Sequence, residues 1–180
     1  MLEGLNIDFL SLDEYPDLPE VIEDGETFFE NALKKAKAVS EYTGEIVLAD
    51  DSGLEVDFLE GRPGICSSRY AGPDATDESN IEKLLEELKG VPINDRGASF
   101  VCALVLYRSD GKFELFEGRW SGKIGYEPAG TGGFGYDPVF VVTECSMTVA
   151  QISPDMKNTI SHRAKALNKL KKSLEKWVKD

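Results

Sequence analysis

Asp50 and Asp51 close a short apolar run, residues 46–49, and Ser52 and Gly53 follow them. The run reads as a buried strand. Two carboxylates at the end of such a strand need their charge compensated, and a hard cation with oxygen ligands, such as Mg2+, would do it. Neighbours on a strand point to opposite faces, so both can address one site only if the chain turns. Ser52-Gly53 is read as that turn. Glu23, in the loop before the preceding helix, is a third carboxylate. Two or three such groups hold Mg2+ beside a phosphate, and one of them can take a proton from an attacking water. Taken alone, Asp-Asp-Ser-Gly also reads as a solvated turn, and Glu23 as part of an acidic loop.

A second group is Gly130-Thr131-Gly132-Gly133-Phe134-Gly135-Tyr136-Asp137-Pro138. It contains G-x-G-x-x-G, but a dinucleotide fingerprint needs a strand before it and a helix after it. Here Asp137-Pro138 leads into a strand. No companion motif of a kinase is present either. What remains is a loop in which Phe134 or Tyr136 could stack on a flat base while Asp137 or backbone groups read its edge. A plain tight loop between strands is the other reading.

The third group is Lys157-Asn158-Thr159-Ile160-Ser161-His162-Arg163, placed at the start of the last helix. A helix N-terminus attracts anions through free N–H groups and the dipole. Lys157, His162 and Arg163 add cationic donors there, and His162 is the single histidine of the chain. Carboxylates for a metal, a glycine-aromatic loop for a base and cations for phosphate together describe a nucleotide phosphohydrolase.

The elements that must hold these groups follow from periodicity and punctuation. Residues 4–11 read as a short strand, and residues 13–25 as an acidic, proline-bearing loop. Thr27 and Glu30 have capping-box spacing. Phe28, Ala32, Ala36 and Val39 form one face of a helix that Gly44 ends, with Lys34, Lys35 and Lys37 near or on its other side. Residues 54–59 read as a further strand or extended segment. Residues 61–76 are too rich in Gly and Pro for regular structure. Residues 77–89 form an amphipathic helix on Ile81, Leu84, Leu85 and Leu88, stopped by Gly90. Residues 98–107 are apolar on both faces, a central strand, and Ser109-Asp110-Gly111 turns them into a hairpin with residues 112–120. Residues 139–142 are another strand. A helix from about 161 to 178 closes the chain on Ala164, Leu167, Leu170, Leu174 and Trp177 or Val178.

With 180 residues and 41% hydrophobic content, the chain forms one domain, 1–180, or two closely joined lobes. Its 20 Lys and Arg against 33 Asp and Glu leave a net charge of -13. That balance argues against non-specific nucleic-acid partners and anionic membrane. A small anionic ligand in a local basic pocket remains compatible with it. Cys66, Cys102 and Cys145 are odd in number and far apart, as expected of reduced thiols in a cytoplasmic protein. Nothing in the sequence reads as a signal peptide or a membrane span.

The residues 49–54, 130–140 and 160–163, with 23–28, Pro63-Gly64 and Tyr70-Ala71-Gly72, closely resemble the Ham1/RdgB-type inosine triphosphate pyrophosphatases. The likeness runs from near residue 5 to the C-terminus. It implies an α/β fold, elongated and two-lobed around a mixed β-sheet, with a central substrate cleft and usually a homodimer. It implies Mg2+-dependent hydrolysis of ITP, dITP and XTP to the monophosphate and pyrophosphate, cleansing the nucleotide pool. Carried over by position, Asp51 is the catalytic base and a metal ligand, with Glu23 and Asp50 beside it. Lys35 lies near the phosphates and Ser52 contacts substrate. Phe134, Gly135, Tyr136 and Asp137 form the base loop. Lys157, His162 and Arg163 complete the contacts that favour a 6-oxo purine.

The chain departs from the family pattern at its beginning, where no Thr/Ser-x-Asn-x-x-Lys loop is found. A strand of about 5–6 residues is missing with that loop. The expectation is weakened triphosphate affinity, with ITP bound only a little more tightly than inosine monophosphate. The alternative reading is therefore a catalytically impaired nucleotide-binding or dimerising protein.

Overall fold

The structure, a computed structural model, describes residues 8–177. Helix α1 spans Phe28–Thr43 and starts where Thr27 Oγ1 accepts the Glu30 N–H. Glu30 does not return the bond to Thr27. Its carboxylate accepts the Glu26 N–H at 2.6 Å, one residue earlier. Gly44, in the left-handed region at φ 78°, ends the helix with its N–H on the Ser40 carbonyl, a conformation a side chain disfavours. The expected stripe of Phe28, Ala32, Ala36 and Val39 is buried.

Strand β1 runs over Val47–Val56 without interruption. The turn expected at Ser52-Gly53 is absent, and residues 54–56 continue the same strand before a single 3-10 turn at Asp57–Leu59. Leu48 is exposed and Ile46 more so, so the apolar run before Asp50 is not the buried strand its composition suggested. Helix α2 is Asp77–Glu87, capped by Thr76 and followed by Gly90 at φ 80°. Strands β2, Gly97–Tyr107, and β3, Phe113–Ile124, form the expected hairpin, closed where Arg108 and Lys112 pair and Gly111 donates to Arg108. β2 is buried along nearly its whole length. Strands β4, Phe140–Val142, and β5, Met147–Thr148, complete a five-stranded sheet of order β1-β2-β3-β4-β5. β3 pairs antiparallel with β4, and β4 with β5.

The last helical stretch is two helices, not one. α3 spans Pro154–Ile160 and α4 His162–Trp177, with Ser161 extended between them at ψ 165°. The Ser161 hydroxyl accepts the Ala164 N–H, a capping bond that starts α4. Of the expected strand at residues 4–11, residues 4–7 lie outside the described residues. Residues 8–11 are not in a strand, and Ser11 caps a 3-10 turn at Leu12–Glu14.

Contacts divide the chain into two compact units. The first takes residues 1–51, 102–117 and 166–180. Its core gathers Cys102, Leu104, Leu106 and Phe116 against Leu170, Leu174 and Trp177. Glu114 fastens that helix by accepting from Ser173 Oγ and Trp177 Nε1 at 2.7 and 2.8 Å. The second unit takes residues 52–101 and 118–165, with Leu54, Val56, Leu84, Leu88, Trp120 and Phe140 in its core. The buried Arg96 spends its guanidinium on the carbonyls of Leu88, Ile124 and Gly125, which satisfies the donors that burial would otherwise strand. No cysteine is disulfide-bonded. Among the described residues no helix is long and apolar enough to cross a membrane.

Candidate active site

In the first unit, Asp51 is the centre of a small polar cluster. It faces α1, where Lys35 Nζ lies 3.1 Å from its Oδ1 and Asn31 Nδ2 lies 3.4 Å from its Oδ2. Lys35 Nζ also reaches Glu23 Oε1 at 3.4 Å. Burial raises the Asp51 carboxyl above its ordinary value, and the Glu23 charge adds to the rise. Lys35, by hydrogen bond and charge, and Asn31, by hydrogen bond, pull it back. A carboxylate lifted in this way is a stronger base than an ordinary one.

Asn31 had no part in the sequence reading. It is buried, and its Oδ1 accepts the Gly25 N–H at 2.7 Å, which ties the loop carrying Glu23 to the helix carrying Lys35. A Cβ at Gly25 would stand 2.7 Å from that oxygen, so glycine is needed there. The available signal was an asparagine beside the apolar stripe of a helix, where asparagine is a poor helix former.

The continuous strand separates the two aspartates. Asp51 faces α1, so the pleat sends Asp50 to the opposite face of the sheet. Among the described residues no three His, Cys, Asp or Glu side chains gather into a cage for a cation. Glu23 and Asp51 do converge on one point, the Lys35 ammonium. Mg2+ is commonly held by one or two carboxylates, with substrate phosphates and waters completing the shell. The Glu23–Asp51 pair fits that requirement; a three-carboxylate set with Asp50 does not. Ser52, half-buried, is the next residue of the strand.

In the second unit, the loop 130–138 presents Phe134 to solvent, 65% exposed. Lys157 Nζ sits 4.6 Å from the centre of the Phe134 ring. Asp137 is only 3% exposed. Its Oδ2 takes both the Lys157 ammonium and the Phe134 N–H. Asp137 therefore braces the loop and carries Lys157, and it has little surface left with which to read a base edge. Gly133 has φ 78°, and a Cβ there would collide with that carboxylate.

Tyr136 is not a stacking residue in this structure. It is 4% exposed, lies in the core, and donates its hydroxyl to the Ser67 carbonyl at 2.9 Å. Burial pushes its ionisation upward, so it stays a neutral donor. Ser67 in turn accepts the Leu54 N–H on its hydroxyl, which binds the 3-10 segment Gly64–Arg69 to β1. Gly135 supplies its N–H to Asp77 Oδ2 at 2.6 Å.

Lys157 belongs to α3, while His162 and Arg163 open α4, so the three cations stand on two helices and not within one turn of one. His162 is buried and stacked on Phe100, ring centres 5.0 Å apart and planes 21° off parallel. Phe100 is a second supporting residue that sequence alone did not single out.

A profile of the Ham1 family matches residues 1–173. The chain belongs to the Ham1 family. A dITP/XTP pyrophosphatase of Geobacter sulfurreducens is 51% identical over 174 residues, covering 97% of this chain and 87% of its own. One from Shouchella clausii is 49% identical, covering 92% and 83%. The structure of a HAM1 protein from Coxiella burnetii superposes with TM-score 0.91 at 43% identity, over 96% of this chain and 88% of that one. The α/β fold that the resemblance implied is thus that of solved Ham1 proteins.

Proposed function

We propose that this Ham1 chain is a pyrophosphatase of non-canonical purine nucleoside triphosphates. It would convert dITP, XTP and ITP to the monophosphate and pyrophosphate and so cleanse the nucleotide pool. The observation that carries the reading is the Asp51 cluster, a part-buried carboxylate of raised pKa fixed by Lys35 and Asn31. The names of the relatives, dITP/XTP pyrophosphatases, give the reaction class.

In this mechanism Asp51 accepts a proton from the water that attacks the α-phosphorus. The P–O bond to the β-phosphate breaks, and pyrophosphate leaves with the electron pair. Lys35, released from Asp51 and Glu23 as substrate arrives, donates to a phosphate oxygen. A divalent cation, Mg2+ in this proposal, would be held by Glu23 and Asp51 and would neutralise phosphate charge. Phe134 stacks on the purine, and Lys157, held by Asp137, donates to the 6-oxo group. A 6-amino group offers no acceptor there, which disfavours adenine. His162 and Arg163 supply further contacts to the nucleotide. Asp50, on the other face of the strand, is assigned no role at the metal.

A homodimer in the cytoplasm, where the nucleotide pool lies, accords with this reading, and sedimentation of the purified chain tests the dimer. No observation favours a binding protein without catalysis. The deciding experiment is pyrophosphate release by purified protein with Mg2+, comparing dITP, XTP and ITP with dATP. Failure to release pyrophosphate from any 6-oxo purine nucleotide, or equal turnover of dATP, overturns the proposal.

A further inference from the structure

We infer that Asp77, at the start of α2, is a positioning residue for the base loop and thereby for nucleotide selectivity. The inference rests on the proposed function for what the loop binds, and on geometry alone for the strut itself. Asp77 accepts the Gly135 N–H at 2.6 Å across 58 residues of sequence. It does so where packing is lacking. A groove of about 420 Å3, lined by Ile81, Glu82, Gly132 and Pro138 among others, lies between α2 and the loop. Asp77 and Gly135 are themselves among the residues that line this groove, so the bond ties its two walls together.

The strut has a firm base. Asn80, buried, binds the Ala71 N–H and the Ser68 carbonyl at 2.8 and 3.1 Å. Lys83 donates to the Tyr70 carbonyl at 2.6 Å, and Glu87 accepts the Tyr70 hydroxyl at 2.7 Å. These bonds fasten α2 to the segment 67–71, whose Ser67 carbonyl takes the Tyr136 hydroxyl. The two residues after Phe134 are thus tied to one scaffold, Gly135 to α2 directly and Tyr136 to the segment that α2 holds. Gly135, at φ 57°, adopts a conformation that favours glycine and leaves its N–H aimed at Asp77. With the two residues that follow it pinned and its own N–H held by Asp137, the Phe134 ring is presented at a set height beside Lys157, although its own side chain is mostly in solvent. A stacking residue prepared in this way binds without first being ordered.

The test uses Asp77→Ala and Asp77→Asn in the whole chain. Both remove the charge at the helix start, but asparagine keeps an acceptor oxygen for Gly135. Hydrogen exchange of residues 132–136 is expected to rise about tenfold in D77A and to stay near wild type in D77N. In turnover, D77A is expected to raise KM for dITP about 5–10-fold with kcat within about twofold, and to narrow the preference for dITP over dATP. D77N should recover most of both. Unchanged exchange in D77A overturns the inference, as does equal loss in D77N, which would assign the effect to the helix charge. A wild-type chain that released no pyrophosphate would sink the functional proposal, while the exchange measurement would still decide the strut.

Discussion

The Lys35 ammonium lies 3.1 Å from Asp51 Oδ1, and its charge opposes the burial that raises the Asp51 pKa. Activity that needs ionised Asp51 should therefore have an acid limb above the ordinary carboxyl value of 3.8. Replacing Lys35 by Met removes the charge that lowers the pKa, so the limb moves further up. Stability follows the same sign. Between 3.8 and the raised folded value, the native chain holds a proton that the unfolded chain has released. The contribution of Asp51 to stability thus falls as pH rises through that window. The pH dependence of kcat/KM and of Tm for both proteins checks the direction, and a limb that moves down in K35M contradicts it.

Asp51→Asn removes the base. Pyrophosphate release from dITP should fall by about 10²–10⁴-fold, the usual worth of a general base. Because burial disfavours the ionised carboxyl, the amide should leave Tm unchanged or higher. Turnover near wild type would refute the role given to Asp51, and a large drop in Tm would show that the residue acts through the fold.

Phe134 and Tyr136 flank one glycine but should respond differently to truncation. Phe134→Ala removes an exposed ring, so Tm should hold while KM rises by about 10–100-fold, since base stacking on an aromatic is worth ~1–3 kcal/mol. Tyr136→Phe leaves the Ser67 carbonyl without its donor and should cost about 1–3 kcal/mol of stability, with a smaller rise in KM. Thermal melts and steady-state kinetics on the two variants separate these effects. The reverse pattern would mean that Tyr136 is the stacking ring.

Lys157 and Asp137 are coupled through burial. Lys157→Met strands a carboxylate that is 3% exposed, and breaking a buried pair costs about 3–5 kcal/mol. The double variant Asp137→Asn, Lys157→Met should regain most of that stability while remaining poor at separating dITP from dATP. Denaturant unfolding and the ratio of kcat/KM values test both halves. If the double variant regained selectivity as well, Lys157 would not be the group that reads the 6-oxo position.

Local signals were legible in the sequence. Thr27 as a cap, Gly44 and Gly90 as stops, the Ser109-Asp110-Gly111 hairpin turn and the stripe on α1 each depend on residues within one or two turns, and each stands in the structure. The residues alone pointed to the pairs Asp50–Asp51 and Phe134–Tyr136 without dividing either, and the family resemblance singled out Asp51. What tertiary structure decided concerns direction and partnership. Ser52-Gly53 is turn-like in composition, yet β1 runs through it, since strand pairing with β2 outweighs local preference. That outcome puts Asp50 and Asp51 on opposite faces. Tyr136 and Phe134 are alike in sequence context, and only the Ser67 carbonyl, 69 residues away, makes one a core brace and leaves the other to solvent. Asp77 and Asn31 could not be found by periodicity. Their partners, Gly135 and Asp51, lie 58 and 20 residues along the chain, and such a bond exists only once packing has brought its two ends together.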